Sequence, residues 1–138
     1  MNFLAVTGRD AFPMLGTLEQ DGATIDAYWA DDARIDEHGQ NTEAQEIAQN
    51  RQDSGWTGLY FGGTCFKKQR SIDPVHYGDA ARFACDFMEV VTTSGVATGM
   101  EADLGKVDTF RKSIGDKALA IASGITPENA SRYRDVDC

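Results

Sequence analysis

Apolar and polar positions alternate along this chain in a repeating two-part pattern. A short continuous apolar run comes first. A polar loop follows it, then a longer stretch whose apolar residues recur at spacings of three and four, the mark of one helix face. Five strand-then-helix units can be drawn in this way. The first strand is predicted at residues 3–6 and its helix at 10–20, with Pro13 in the first turn, where a missing N–H costs little. The second strand is predicted at 24–29. Its helix, at 42–53, is capped by Thr42 with Gln45 three residues on, buries Ala44, Ile47 and Ala48, and stops at Ser54-Gly55. The third strand spans about 58–62. After a loop of some ten residues, Asp73-Pro74 supplies an N-cap and an N1 proline for a helix running to about 86 with Ala80, Ala81, Ala84 and Phe87 inward. The fourth strand covers about 88–93. Asp103 caps the next helix, which ends near Ile114 and turns Leu104, Val107, Phe110 and Ile114 to the core. The fifth strand is predicted at 118–122, with a last helix starting at Pro127 and capped by Thr126.

The strand starts near 24, 58, 88 and 118 lie about 30 residues apart, the length of a βαβ unit. The runs are continuously apolar, as in strands covered on both faces. Such units build either a doubly wound sheet or a (β/α)8 barrel. No Gly-x-Gly-x-x-Gly follows the first strand, which counts against a dinucleotide fold. Small polar residues end successive strands, which suits a barrel mouth. The expected architecture is therefore α/β, an incomplete (β/α)8 barrel of about five units, with 138 residues forming one domain.

Composition narrows the partners. The net charge is −9 and the pI about 4.5, so a general role in binding nucleic acid or anionic lipid is disfavoured. No apolar run approaches the ~20 residues of a membrane span, and Met1-Asn2 opens no signal-type segment, which points to a cytoplasmic protein without membrane insertion. Cys65, Cys85 and Cys138 are far apart and odd in number, against a disulfide framework. No Cys-x-x-Cys or His-Glu-x-x-His occurs, so neither a metal nor another cofactor is expected.

Candidate chemistry collects where the strands end. Ser123, Gly124 and Thr126, between the fifth strand and its helix, offer backbone N–H groups and a helix start to a phosphate. As structure, the same residues make a tight turn and a cap. The loop carrying Ser94, Gly95, Thr98 and Gly99 is too long for a tight turn alone; it either wraps a ligand, since glycine lets backbone approach closely, or is a surface loop. Asp31 is the candidate proton-transfer carboxylate, against the alternative of a solvated acidic loop shared with Asp32. Lys67, beside Lys68, is a candidate for Schiff-base chemistry or for neutralising a phosphate. The electrostatic role fits its polar surroundings better.

Two of these motifs carry a resemblance. The segment from Thr93 to Gly99 with Asp103, and the segment from Ser123 to Asn129, resemble the BtpA/SgcQ-type family of phosphate-binding TIM barrels; Arg9-Asp10 matches weakly. The resemblance implies a site at the C-terminal ends of the strands for a small phosphorylated metabolite, with Lys67 at the family's lysine position. The family's Asp and His near that lysine are replaced here by Gly62, Gly63 and Thr64. The resemblance also implies further strands before Met1 and after Asp137, so that these residues correspond to about five-eighths of a barrel. Open edges would then favour a homo-oligomer or a complementing fragment. An enzyme acting on a phosphorylated small molecule, an inactive derivative of one, and a non-catalytic assembly factor of the BtpA type are the functions it implies.

Overall fold

The computed structural model describes residues 8–138. The strand predicted at 3–6 lies outside them. Four helices and four strands alternate: α1 (Gly8–Gln20), β1 (Ala27–Ala30), α2 (Thr42–Ser54), β2 (Leu59–Gly63), α3 (Tyr77–Ala84), β3 (Val90–Thr93), α4 (Leu104–Ile114) and β4 (Ala118–Ile121). The strands form one parallel sheet in the sequential order β1-β2-β3-β4. Tyr28 pairs with Tyr60, Gly62 with Val91, and Val91 with Leu119.

Sequential order has a geometric consequence. Right-handed crossovers that always step in one direction leave every helix on the same face of the sheet. The core agrees. Its strand residues Tyr28, Ala30, Tyr60, Val91 and Leu119 share one parity, and they pack with Phe12 and Leu15 of α1, Ile47 of α2, Ala80 and Ala84 of α3, and Phe110 of α4. The opposite-parity residues Trp29, Phe61, Val90 and Ala120 are outside that core cluster. Leu59, on this second face, is 49% exposed. The fold is thus a parallel α/β sheet layered by helices on one side.

Local signals account for most boundaries. Asp73 accepts from the Val75 amide at 3.0 Å and starts a 3-10 turn, Pro74–His76, that leads into α3. Asp103 accepts from the Lys106 amide at 2.8 Å and caps α4. Gly55 (φ 71°) ends α2 with its N–H on Gln52 O. Pro13 sits in the second turn of α1, not the first, because the helix begins at Gly8. The Arg9 carbonyl, which Pro13 cannot reach with an N–H, accepts instead from Asn50 Nδ2 of α2 at 3.1 Å. The same helix pair is tied by an Arg9–Glu46 ion pair.

Three further expectations are corrected. Thr42 is the first residue of α2 and not its cap; Asn41 (φ 43°) holds the cap position, and its side chain closes the preceding loop by accepting from the Asp36 amide at 2.8 Å. Leu104 is 42% exposed, and Lys106 takes the buried place expected of it. No α-helix starts at Pro127. Residues 127–129 form a turn followed by the 3-10 helix Ala130–Arg132. Beyond that turn the backbone comes back beside β4: Cys138 N donates to Leu119 O at 3.3 Å and Ile121 N donates to Cys138 O at 2.9 Å. That reciprocal pair is the hydrogen-bond pattern of a parallel bridge centred on Ala120.

Candidate functional site

The loops at the C-terminal ends of the strands carry every candidate residue. Close backbone contact brings them together. A Cβ on Gly63 would lie 2.0 Å from Asp31 O, so the ends of β1 and β2 meet only because residue 63 is glycine. Gly63 O in turn accepts from Ala33 N at 3.0 Å and Gln69 Nε2 at 2.7 Å. A second close approach joins the loops after β3 and β4. Cβ atoms on Gly95 and Gly124 would lie 2.3 and 2.2 Å from the same Met100 O.

Within this frame three predicted residues from three strand ends converge. Lys67 Nζ donates to Ser123 Oγ at 2.9 Å, and the Lys67 amide donates to Ser94 Oγ at 3.0 Å. Ser94 is buried and its hydroxyl donates onward to Gly95 O at 2.8 Å. Ser123 holds its position in a left-handed conformation, φ 74°, that non-glycine residues seldom adopt. Gly124 follows with φ 77°.

The remaining candidates are placed elsewhere. Asp31 is half-buried and its carboxylate pairs with Lys68 Nζ at 2.6 Å, not with Lys67. Thr98 and Gly99 lie exposed at the loop tip. The Thr126 amide is already used: it donates to Asn129 Oδ1 at 2.8 Å, while Asn129 Nδ2 donates to Gly124 O at 2.8 Å. The Thr126 side chain holds the Glu128 carboxyl below its usual range by a hydrogen bond. With no helix behind it, the 123–129 segment has no helix dipole to offer. What it contributes is Ser123 Oγ.

Two residues here escaped sequence reading. Gln69 joins the β1 and β2 loops, donating to Gly63 O and to Asp32 Oδ1 at 2.9 Å and accepting from the Phe66 amide at 2.8 Å. Lys106 is only 8% exposed. Its Nζ donates to Cys65 O and, at 3.1 Å, to Ser94 O, bridging the loops after β2 and β3. It also lies 5.2 Å from the Tyr77 ring and 5.9 Å from Phe110. Burial lowers its pKa. Burial also raises the neighbouring Cys65 thiol to about 11, so Cys65 is no thiolate at neutral pH. The sequence did hold a signal for Lys106: it stands four residues before Phe110, on that residue's helix face.

On the rim, Arg70 grips Glu37 through two hydrogen bonds of 2.9 and 2.5 Å and holds its carboxyl down to about 2. A carboxyl with a depressed folded pKa adds stability above its unfolded value, about 4.3, and loses it as pH falls toward 2. Glu37→Gln is therefore expected to lower the urea midpoint at pH 6, with the deficit shrinking steadily between pH 4 and pH 2. A deficit independent of pH would show that the ion pair is not its source.

Cavities lie at both ends of the strands. One of about 410 Å3, lined by Arg51, Trp56, Glu89 and Lys117, sits at their N-terminal ends, and its Arg51 is bonded to Glu89 at 2.9 Å. Parallel sheets bind ligands at the opposite end. There, a cavity of about 430 Å3 is bordered by Tyr77, Ser94, Lys106 and Tyr133, and a cleft of about 110 Å3 by Cys65, Lys67, Arg70 and Lys106. Among the described residues no cluster of His, Cys, Asp and Glu is placed to hold a metal ion, and no helix is long and apolar enough to cross a membrane. No family model, curated protein or solved structure matches the chain.

Proposed function

We propose that this chain is a segment of a (β/α)8-type barrel that binds a small phosphorylated metabolite at the C-terminal ends of its strands, as a binder or an enzyme. The sequential parallel order and the one-sided helix layer support the barrel reading. So does the bridge between Cys138 and Ala120, which places backbone where a next parallel strand would pair.

One observation carries the ligand reading. Lys67, Ser94 and Ser123 come from three different strand ends and meet through two hydrogen bonds. Lys67 has no carboxylate within ion-pair distance among the described residues, whereas its neighbour Lys68 is neutralised by Asp31. An ammonium held by a hydroxyl and left without a counter-charge suits an incoming phosphate. Asp31 stays the candidate for proton transfer, with Lys68 as its partner. The resemblance to BtpA/SgcQ-type proteins points to the same ligand class.

The test is thermal unfolding against paired ligands, each phosphate ester beside its neutral parent alcohol. The melting temperature is expected to rise with the esters alone, and the rise to be lost in Lys67→Ala. Equal response to esters and neutral parents, or no response at all, would remove the proposal.

A further inference from the structure

Charge is distributed unevenly around the β2 and β3 loops. The chain has 22 acidic and 13 basic residues, so carboxylates are available to nearly every cation. Most of the described cations use them: Arg34 lies beside Asp32, Arg51 on Glu89, Lys68 on Asp31, Arg70 on Glu37 and Arg111 on Asp137. Lys67 and Lys106 have no carboxylate within ion-pair distance among the described residues. Both border the same 110 Å3 cleft, whose lining contains no Asp or Glu.

Lys106 is the more informative of the two. Its ammonium is buried and its partners are two carbonyl oxygens, which carry only partial charge. A buried ion is costly unless it is paired. Asp103 acts on Lys106 from beyond ion-pair distance and lines the adjoining cavity with Glu101, but the cleft's own walls hold no acid, so an anion bound there would be the nearest counter-charge to both lysines. The cleft has room for one compact oxyanion and little more. It adjoins the 430 Å3 cavity, sharing Tyr77, Gly95, Val96 and Lys106 with it, so the organic part of a ligand has space next door.

We infer that the cleft between the β2 and β3 loops receives the phosphoryl group of the ligand, with Lys106 as its buried cation and Lys67 as its outer one. The inference rests on the reading that the strand ends bind a phosphate ester. It moves the anion away from the Gly124–Thr126 backbone and assigns a ligand contact to a helix lysine.

Titration calorimetry of the full chain with inorganic phosphate tests it. Four variants are compared with the parent chain: Lys67→Ala, Lys106→Met, Val96→Asp and Val75→Asp. Val96 is 80% exposed and borders both cavities, so an aspartate there adds a repelling charge at the cleft without disturbing the core. Val75 is 76% exposed and borders neither, which makes it the control. Lys106→Met and Val96→Asp are each expected to weaken phosphate binding by about tenfold or more, with Val75→Asp unchanged. If circular dichroism shows Lys106→Met unfolded, Val96→Asp decides alone. Phosphate binding that Lys67→Ala weakens but a folded Lys106→Met or Val96→Asp leaves intact would overturn the cleft assignment and leave the broader reading standing. No binding of phosphate by the parent chain would overturn both.

Discussion

Phe12→Ala is expected to destabilise the fold by about 3–5 kcal/mol, the usual range for truncating a fully buried aromatic residue. Phe12 is completely buried and stands where α1 meets the sheet. Its ring lies edge-on to Tyr28 at 5.5 Å and to Tyr60 at 5.0 Å, and 5.7 Å from Trp56. Tyr28 and Tyr60 stack on each other across the β1–β2 register at 5.8 Å, so one cavity would undercut both strands and the entry to β2. The neighbours cannot easily collapse into it. Trp56 is pinned by its indole N–H on Ile25 O at 2.9 Å, and the two tyrosines are fixed by strand pairing. A domain of this size has about 5–15 kcal/mol in hand, so the variant should lose a large part of it. Urea unfolding followed by tryptophan fluorescence would read the loss as a lower midpoint with an unchanged slope. A loss under 1 kcal/mol would mean that this aromatic cluster does not organise the core.

Gly63→Ala is expected to cost about 3 kcal/mol and to disturb the site as well as the fold. The added methyl would be placed 2.0 Å from Asp31 O, 2.5 Å from Asp31 C and 3.1 Å from Ala30 O. All three are backbone atoms in a paired strand or its first loop residue, so relief requires the end of β1 to move away from β2. Overpacking normally costs 1–3 kcal/mol, and a clash with backbone belongs at the upper end of that range. The Gly63 carbonyl would move too, loosening the bonds from Ala33 and Gln69 that hold the loop leading to Lys67. The variant should therefore bind phosphate less well than its residual fold alone would explain. Gly99→Ala provides the contrast: residue 99 has a positive φ, 82°, which residue 63 does not, and no atom stands within 4 Å of its Cβ position. It should show only the strain of a left-handed alanine, about 1 kcal/mol. Equal losses in the two variants would show that close approach is not what requires glycine at 63.

How much of this was legible in the sequence depended on whether a local signal acted alone. Asp73-Pro74, Asp103 and Ser54-Gly55 stand at element ends where no neighbouring loop competes for the capping group, and each does what its chemistry suggests. Asn41-Thr42 failed because Asn41 was needed by the loop behind it: its amide oxygen serves Asp36, leaving the helix start without a side-chain cap. Thr126-Pro127 had the same look as a true start. Yet the residues after it include few apolar side chains to bury, and a helix without tertiary packing does not propagate. Asn129 closes the segment as a turn instead. In α4, Val107, Phe110 and Ile114 were expected in the core and are there. A shift of the buried stripe at its first turn exposed Leu104 and drew in Lys106.

The site was legible in its members but not in its pairing. Lys67, Ser94 and Ser123 were separate candidates, and only the depth of the strand ends and two close glycine contacts make them neighbours. Asp31 and Lys67 are separate candidates in the sequence, and the loop path gives the Asp31 carboxylate to Lys68. Charge pairing of that kind depends on three-dimensional path and leaves no trace in spacing. The strand face carrying Trp29, Phe61, Val90 and Ala120 lies outside the helix-packed core, which the continuously apolar runs alone did not distinguish from a doubly wound sheet.

Backbone amide spectra recorded during a phosphate titration show where on the molecule the anion binds. Saturable shifts are expected to concentrate at Lys67, Ser94, Gly95 and Ser123, where the loops after β2, β3 and β4 meet. Shifts clustered instead around Arg51 and Lys117 at the opposite end of the strands, or a spectrum that phosphate leaves unchanged, would contradict a site there.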